Sequence, residues 1–437
     1  MKAFEPIRRL QVYRCLSDAR DVLVGEIAQN RTGVYFQYDA DYVEHYPSLS
    51  PFKLAFDQGV QLAAAQPHQG LHGVFADSLP DGWGTLLMDR VFRQQGWLPQ
   101  QLTAMDRLSY VGDSGMGALR YRPVWDRADS HATTQTDLAL LGRSAQSVFD
   151  GQTERVLAQL AAVGSSGGAR PKALVYAAAS LGASLNATTP ISTIQRAGDR
   201  AWLVKFTSAH FPLGHDESRC EAAYLCLAAL AGIEIPESCL LPVPAALSAS
   251  SPNRVWLAQQ RFDCTPVGGR AHLHSACGLL AADFRAPSLD YEALIKLAQQ
   301  LCQSPAAGQA VFRRAMFNLF ALNQDDHSKN WAFLQNDLGD WRLAPFYDVT
   351  FSPNAYGEHM TSFAGYGKQP PLKAIQKLAK HANFAQWSAA QQVIAQVLEA
   401  LSQWSTVAQQ FGVQATNIRM IDTQLKRVYQ DNRGLLV

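Results

Sequence analysis

Asp325, Asn330 and Asp348 are the residues of this chain whose types and spacing best suit chemistry. The first two stand in an Asp-x-x-x-x-Asn spacing inside Asn323-Gln324-Asp325-Asp326-His327-Ser328-Lys329-Asn330. Asp348 follows 18 residues after Asn330, in Ala344-Pro345-Phe346-Tyr347-Asp348. Phosphoryl transfer from ATP needs an ionised carboxylate to receive the hydroxyl proton and a pair of oxygen ligands to hold magnesium on the phosphates. Asp325 suits the first task, Asn330 and Asp348 the second. The same spacing also fits a capped helix start beside a solvated acidic loop. What lies upstream decides between them.

Arg200-Ala201-Trp202-Leu203-Val204-Lys205-Phe206 reads as a short buried strand carrying one lysine near its end. A buried lysine is costly unless an anion pairs with it. Glu221 opens the apolar helical run Ala222 to Leu230, which ends at Gly232, and is the natural partner. Glu217 and Asp216 are rivals, and all three also fit the first turn of a helix, where acids complement the dipole. Val255-Trp256-Leu257-Ala258-Gln259-Gln260-Arg261-Phe262-Asp263 reads as another strand with a polar end. Before these comes Val163-Gly164-Ser165-Ser166-Gly167-Gly168-Ala169-Arg170-Pro171-Lys172, ahead of a strand Ala173 to Tyr176. Its glycines let backbone N–H groups turn toward an anion without a Cβ in the way. It is not a Walker A loop, because Lys172 follows proline and no Ser or Thr comes after it. A hairpin or linker is the plainer reading of such a turn.

These motifs, taken in order, resemble the HipA-like serine/threonine kinases, the toxin half of bacterial toxin–antitoxin pairs. The matching pieces are Gly167-Gly168-Ala169-Arg170-Pro171-Lys172, Leu203-Val204-Lys205-Phe206, Gln260-Arg261-Phe262-Asp263, Asp325 to Asn330, and Pro345-Phe346-Tyr347-Asp348-Val349. Ser78-Leu79-Pro80-Asp81-Gly82-Trp83 and Gly112-Asp113-Ser114-Gly115-Met116-Gly117-Ala118-Leu119 look like the family's N-terminal motifs. The resemblance implies that Asp325 is the catalytic base, supported by Lys205, His327 and Lys329. It implies Asn330 and Asp348 as magnesium ligands. ATP would be held by Gly167, Gly168, Ala169, Lys172, Lys205 and His327, with Gln260 and Phe262 at the adenine end. Ser165 matches a serine that such kinases phosphorylate on themselves, with Ser166 its neighbour, and modification there is expected to lower activity. Asp326 is expected to add a negative charge beside the base.

The resemblance further implies a small helix-turn-helix antitoxin as partner, DNA contact only through it, and a translation component such as an aminoacyl-tRNA synthetase as substrate. Other readings of the residues are a small-molecule phosphotransferase of the aminoglycoside or choline type, and a catalytically silent, antitoxin-binding co-repressor. A nuclease or ATPase finds no matching metal cluster or Walker motif.

The elements that must position these residues fall into three stretches. Residues 1–125 alternate strands, such as Val22 to Gly25 and Thr32 to Tyr38, with helices, one of them introduced by Asp81-Gly82-Trp83. They read as an N-terminal α/β subdomain. Asp126 to Thr136 reads as a polar linker. Residues 137–265 read as an α/β nucleotide-binding small lobe, and 266–437 as a mostly α-helical catalytic lobe, with helices at Tyr291 to Leu301, Ala310 to Leu322 and across Leu372 to Gln430. The fold class expected is therefore two-lobed and protein-kinase-like, with an extra N-terminal subdomain.

Composition agrees with an enzyme of the cytoplasm. The 437 residues exceed one ordinary core, and 47% hydrophobic content argues against disorder. A formal charge of +1, from 38 basic and 37 acidic side chains, provides no global field toward nucleic acid. Seven cysteines without a Cys-x-x-Cys pair suggest reduced thiols and neither a disulfide nor a zinc framework. No apolar run reaches the roughly 20 residues a membrane span requires. Glu5, Arg8 and Arg9 are unlike a cleavable signal.

Overall fold

Alternating burial along the first strands builds an antiparallel sheet. In β1 (Arg9–Cys15), Leu10 and Val12 face inward while Arg9 and Gln11 face solvent, the period of two that a half-buried strand requires. With β2 (Asp21–Gln29), β3 (Val34–Tyr38), β4 (Gln61–Leu62) and β5 (Leu119–Arg122) it forms a sheet of order β4-β3-β2-β1-β5. The chain, seen in a computed structural model, is described over residues 5–125, 135–156, 158–163, 167–178, 185, 189–196, 198–243 and 254–436.

Four helices accompany this sheet: α1 (Ala40–His45), α2 (Gly73–Ala76), α3 (Gly82–Gln94) and α4 (Ala104–Val111). Val74, Phe75, Met105 and Leu108 join the core under the sheet with Leu10, Ile27 and Phe36. The α3 helix turns elsewhere. Its stripe Trp83, Leu87 and Val91 packs with Val175, Trp202, Val204 and Trp256 of the next sheet.

That second sheet is made of β6 (Gln135–Asp137), β7 (Lys172–Ala178), β8 (Pro190–Ser192), β9 (Asp199–Lys205), β10 (Ser238–Pro242) and β11 (Val255–Gln260). Its order is β10-β11-β9-β7-β8-β6. The interior strands are apolar on both faces because helices cover each side: α5 (Leu138–Phe149) and α6 (Ala158–Ala162) with α3, and α7 (Glu217–Leu230) opposite. The expected linker Asp126 to Thr136 lies mostly outside the described residues; its last position, Thr136, is in β6.

Beyond residue 266 helices dominate, as expected, around a small sheet. The elements are β12 (His272–Ser275), α8 (Ala276–Leu280), β13 (Leu289–Asp290), α9 (Tyr291–Cys302), α10 (Pro305–Ala321), β14 (Ala332–Gln335), β15 (Trp341–Leu343) and β16 (Thr361–Ser362). They are followed by α11 (Leu372–His381), α12 (Trp387–Ser402), α13 (Trp404–Gln410) and α14 (Ala415–Asp431). The periodic run from Leu372 is thus four helices. It is broken at Asn383 and Gly412, both with positive φ (59° and 73°), and at Gln403, between α12 and α13. Helix α10 begins five residues earlier than its apolar pattern, with Pro305 at its first position, where the missing N–H costs nothing. No helix among the described residues is long and apolar enough to cross a membrane.

A polar seam joins the N-terminal sheet to the large lobe. Arg14 is fully buried and donates to Gln335 Oε1 at 3.1 Å and to the Asn336 carbonyl at 2.7 Å. Asp77 accepts from His274 Nδ1 at 2.6 Å and from the Ser275 N–H at 2.7 Å. Gly73 allows α2 to lie on α8: a Cβ there would come within 2.1 Å of the Gly278 carbonyl oxygen.

Candidate active site

Strand pairing brings two lysines face to face. Lys172 opens β7, Lys205 closes β9, and the antiparallel register sets them directly opposite. Like charges in that relation repel, and both side chains are buried. Anions from two other elements offset the cost. Lys205 Nζ is 2.5 Å from Glu221 Oε1 on α7 and also donates to Asp348 Oδ1. Lys172 donates to the Gly167 carbonyl, and Asp348 is the foremost anion acting on it.

Glu221 does not open its helix; α7 begins one turn earlier, at Glu217. Residues four apart share a helix face, so the two glutamates look toward the same cleft. Glu217 pairs with Arg170 at 2.9 Å. Asp216, the other rival, instead accepts from the Gln414 N–H and from Asn417. Of the three acids, Glu221 is the one on Lys205.

The loop after α10 is held by its own backbone. Asn330 Nδ2 donates to the Asp325 carbonyl at 2.7 Å, and the Asn330 N–H to the His327 carbonyl at 2.9 Å. Tyr347 donates to the Lys329 carbonyl at 2.7 Å, tying the two catalytic-type motifs together. Asp348 adopts φ +50°, a conformation a non-glycine side chain disfavours and that clusters at functional sites.

Asp326 departs from expectation. Its side chain is buried away from the cleft, accepting from Tyr291 at 2.5 Å, the Met360 N–H at 2.8 Å and the Thr361 N–H at 3.2 Å, with His359 Nδ1 at 3.0 Å. It anchors the loop in the large lobe, and its charge acts on Asp325 less than that of His327, Asp348 or Arg170.

One cleft between the lobes, about 950 Å³ with the open solvent at its mouth, is lined by Gly167, Gly168, Lys205, Gln260, Phe262, His327, Lys329, Asn330 and Asp348. Asp325 stands at the rim, its side chain 65% exposed and 3.8 Å from His327 Nε2. Lys172 and Glu221 stand behind the lining. Ala169 turns toward the N-terminal unit, where its Cα would be 2.7 Å from a Cβ on Gly82. Ser165 and Ser166 lie outside the described residues.

The electrostatics separate the two aspartates. Burial would raise the Asp348 carboxyl, but Lys205 and Lys172 hold it far below the usual carboxylate range. At Asp325, on the rim, partial burial of the carboxyl raises it and His327 opposes the rise. Lys172 is lowered by burial, with Asp348 opposing. Burial would lower Lys205 too, yet Asp348 and Glu221 raise it.

Asp81, Met116, Gln259 and Tyr347 are among the cleft residues to which the sequence assigned no role. Asp81 stood in the stretch expected to introduce a helix; it does precede α3, but its carboxylate makes no cap bond to it. It accepts from the Gly168 N–H and pairs with Lys329 at 3.3 Å. Trp83 adds two bonds to the same glycine loop, N–H to the Gly168 carbonyl at 3.1 Å and Nε1 to the Lys172 carbonyl at 2.9 Å. Met116 and Gln259 carried no signal, since only folding brings their stretches to the cleft.

The lobe junction is built in the same way. Arg261 pairs with Asp263 at 2.6 Å, fully buried, and the Gly117 N–H donates to Asp263 at 2.7 Å. Arg261 and Arg270 both donate to the Gly115 carbonyl at 3.2 Å. The glycine-rich N-terminal motif therefore packs on the strand exit that carries Gln260 and Phe262.

Two family models match the chain: the HipA N-terminal domain over residues 18–122 and the HipA-like C-terminal domain over residues 164–405. Among solved structures, HipA from Shewanella oneidensis MR-1, in complex with HipB and its operator DNA, superposes with a TM-score of 0.66 at 16% identity. That match covers 98% of this chain and 99% of that one. The Helicobacter pylori proinflammatory kinase CtkA gives a TM-score of 0.34 at 10% identity, over 54% of this chain and 89% of that one; similarity at that level carries no argument. No match was found among curated protein sequences.

Proposed function

The chain belongs to the HipA-like family, and from that premise we propose that it is an ATP- and magnesium-dependent serine/threonine protein kinase, the toxin of a toxin–antitoxin pair. The observation that carries the proposal is Lys205, held between Glu221 and Asp348 in the cleft that also receives Asn330 and borders Asp325. A lysine–glutamate pair beside two oxygen ligands and a carboxylate is the equipment of phosphoryl transfer.

The residues present fit a nucleotide. Gln259 Nε2, Gln260 Oε1 and His327 Nδ1 are buried polar atoms without hydrogen-bond partners, all on cleft residues. Such atoms call for a ligand or water. Gln259 and Gln260, with Phe262, serve the adenine end. Lys205, Lys172 and His327 serve the phosphates. No cluster of three or more His, Cys, Asp or Glu suited to a metal occurs among the described residues. Magnesium, which usually takes only one or two protein carboxylates besides phosphate and water, would be held by Asp348 and Asn330. Bound there, it would neutralise charge on the transferred phosphoryl group. Asp325 orients the acceptor hydroxyl and takes its proton.

The partner we propose is a small helix-turn-helix antitoxin, supported by the HipB and operator DNA in the Shewanella oneidensis structure. The proposed acceptor is a translation component such as an aminoacyl-tRNA synthetase, in the cytoplasm, with Ser165 or Ser166 as a self-modification site. Asp325→Asn is expected to leave folding and ATP binding intact and to abolish transfer of labelled phosphate to protein, because an amide cannot accept the proton. Asp348→Asn is expected to weaken magnesium-dependent nucleotide binding. Near wild-type transfer by the first variant would sink the assignment; unchanged magnesium dependence in the second would move the metal elsewhere.

A further inference from the structure

Asp81 belongs to the N-terminal unit, yet its carboxylate lies inside the cleft and reaches two elements of the site at once. One oxygen accepts the Gly168 N–H of the glycine loop. The other is 3.3 Å from Lys329 Nζ, in the loop that carries Asp325 and Asn330. The residue is well suited to this. Its side chain is 10% exposed, so solvent screens these interactions little. Although it directly precedes α3, it makes no capping bond to that helix.

The surroundings are shaped to bring it there. Gly82 has φ +38°, and a Cβ on it would lie 2.7 Å from Ala169 Cα and 2.8 Å from the Gly168 carbonyl oxygen. Only glycine lets the α3 start and the glycine loop touch so closely. A Cβ on Gly167 would come within 3.1 Å of Asp81 Oδ2, so that face of the loop is closed as well. Lys329 is fixed from the other side, its ammonium 4.4 Å from the centre of the Phe284 ring. Neither loop reaches the other directly through these contacts; the carboxylate joins them.

We propose that Asp81 is a positioning residue for phosphoryl transfer, a clamp from the N-terminal unit that couples the placement of the glycine loop to that of the catalytic loop. This rests on the kinase reading above. The glycine loop sets where the ATP phosphates lie, and the Lys329 segment sets where Asp325 and Asn330 meet them. A single rigid carboxylate between the two fixes one relative to the other. The N-terminal unit is then part of the catalytic apparatus, in addition to packing beside it.

The test uses the full chain and two variants that separate the carboxylate's two bonds. Asp81→Asn keeps an acceptor for Gly168 and removes the charge facing Lys329; Asp81→Ala removes both. Hydrogen exchange, measured without any substrate, is expected to show the Gly168 amide exchanging roughly tenfold faster in the alanine variant and nearly unchanged in the asparagine variant, on the scale of one charge-assisted bond. With magnesium and ATP, the asparagine variant should lose roughly tenfold in kcat at a similar KM for ATP, while the alanine variant also raises that KM. Combining Asp81→Asn with Lys329→Met should cost no more than Lys329→Met alone, since the two act through one contact. Fully additive losses in that cycle would overturn the proposal. So would tighter ATP binding at unchanged kcat in Asp81→Asn, which would make the carboxylate a competitor of the phosphates. If the wild-type chain transfers no phosphate, the kinase reading fails by itself, and unchanged Gly168 protection in Asp81→Ala would still refute the clamp. Should the alanine variant not fold, the asparagine variant and its cycle decide.

Discussion

Two buried lysines set opposite each other across a strand pair would be a fault in an ordinary sheet. Here Lys172 and Lys205 persist because Glu221 and Asp348 face them. The arrangement keeps Asp348 ionised far below neutrality while partial burial at the rim raises Asp325. The two aspartates thus separate into a permanent anion and a titrating one. A base must be deprotonated to act, so activity is lost as pH falls through the Asp325 value. The acid limb of the kcat/KM profile is expected above the ordinary aspartate range, with a slope of one proton. A profile flat down to pH about 4, the reference value for aspartate, would mean that Asp325 is not the group titrating.

At the scale of elements, the site is a matter of register. Helix α7 places Glu217 and Glu221 one turn apart, so one face holds both Arg170 and Lys205. The exit of β11 is fixed by Asp263, fully buried between Arg261, Arg270 and the Gly117 N–H. Burial would raise its carboxyl, but the two arginines hold it at about 2. Its folded value is depressed, so its stabilisation is present above the unfolded carboxylate value, about 3.9, and is lost as pH falls toward 2. Removing one member of a buried pair strands the other charge. Asp263→Asn is therefore expected to destabilise the chain by about 3–5 kcal/mol at neutral pH in urea unfolding. The gap to wild type should narrow between pH 4 and 2. A gap that does not change with pH would show that the carboxylate contributes through shape alone.

The whole molecule is held by contacts between regions far apart in sequence. Arg14 reaches Gln335, Asp77 reaches His274, and Asp81 reaches Lys329. Its charge is nearly balanced, +1 from 38 basic and 37 acidic side chains. Non-specific affinity for DNA comes mostly from neutralising phosphates. The isolated chain is expected to bind duplex DNA weakly, with little salt dependence, and operator binding is expected to require a basic partner. Tight binding by the chain alone that falls steeply with salt would contradict this.

The amino-acid sequence by itself determined the chemistry-bearing motifs and their order, because residue type and local spacing suffice to mark a lysine-bearing strand or an Asp-x-x-x-x-Asn loop. It was also enough for most helices and strands, whose periods of 3.6 and 2 are local properties. Helix starts were less legible: α7 and α10 begin a turn or more before their apolar runs, since their first turns, Glu217 to Cys220 and Pro305 to Gly308, carry no large aliphatic or aromatic side chain to mark them. Which acid meets Lys205 was open among Asp216, Glu217 and Glu221 until the helix phase was fixed. Asp326 looked like a charge beside the base, and only the packing of Tyr291 and Thr361 around it turned that charge into the large lobe. Asp81 looked like part of the stretch that introduces a helix, and Gln259 like one more strand residue. The place of Asp81 in the cleft depends on partners 87 and 248 residues away along the sequence, and that of Gln259 on the pairing of β11 with β9 and β10, and no local pattern encodes those. Tertiary structure decided them because a side chain's partner is set by which surfaces pack together, and packing is a property of the whole chain.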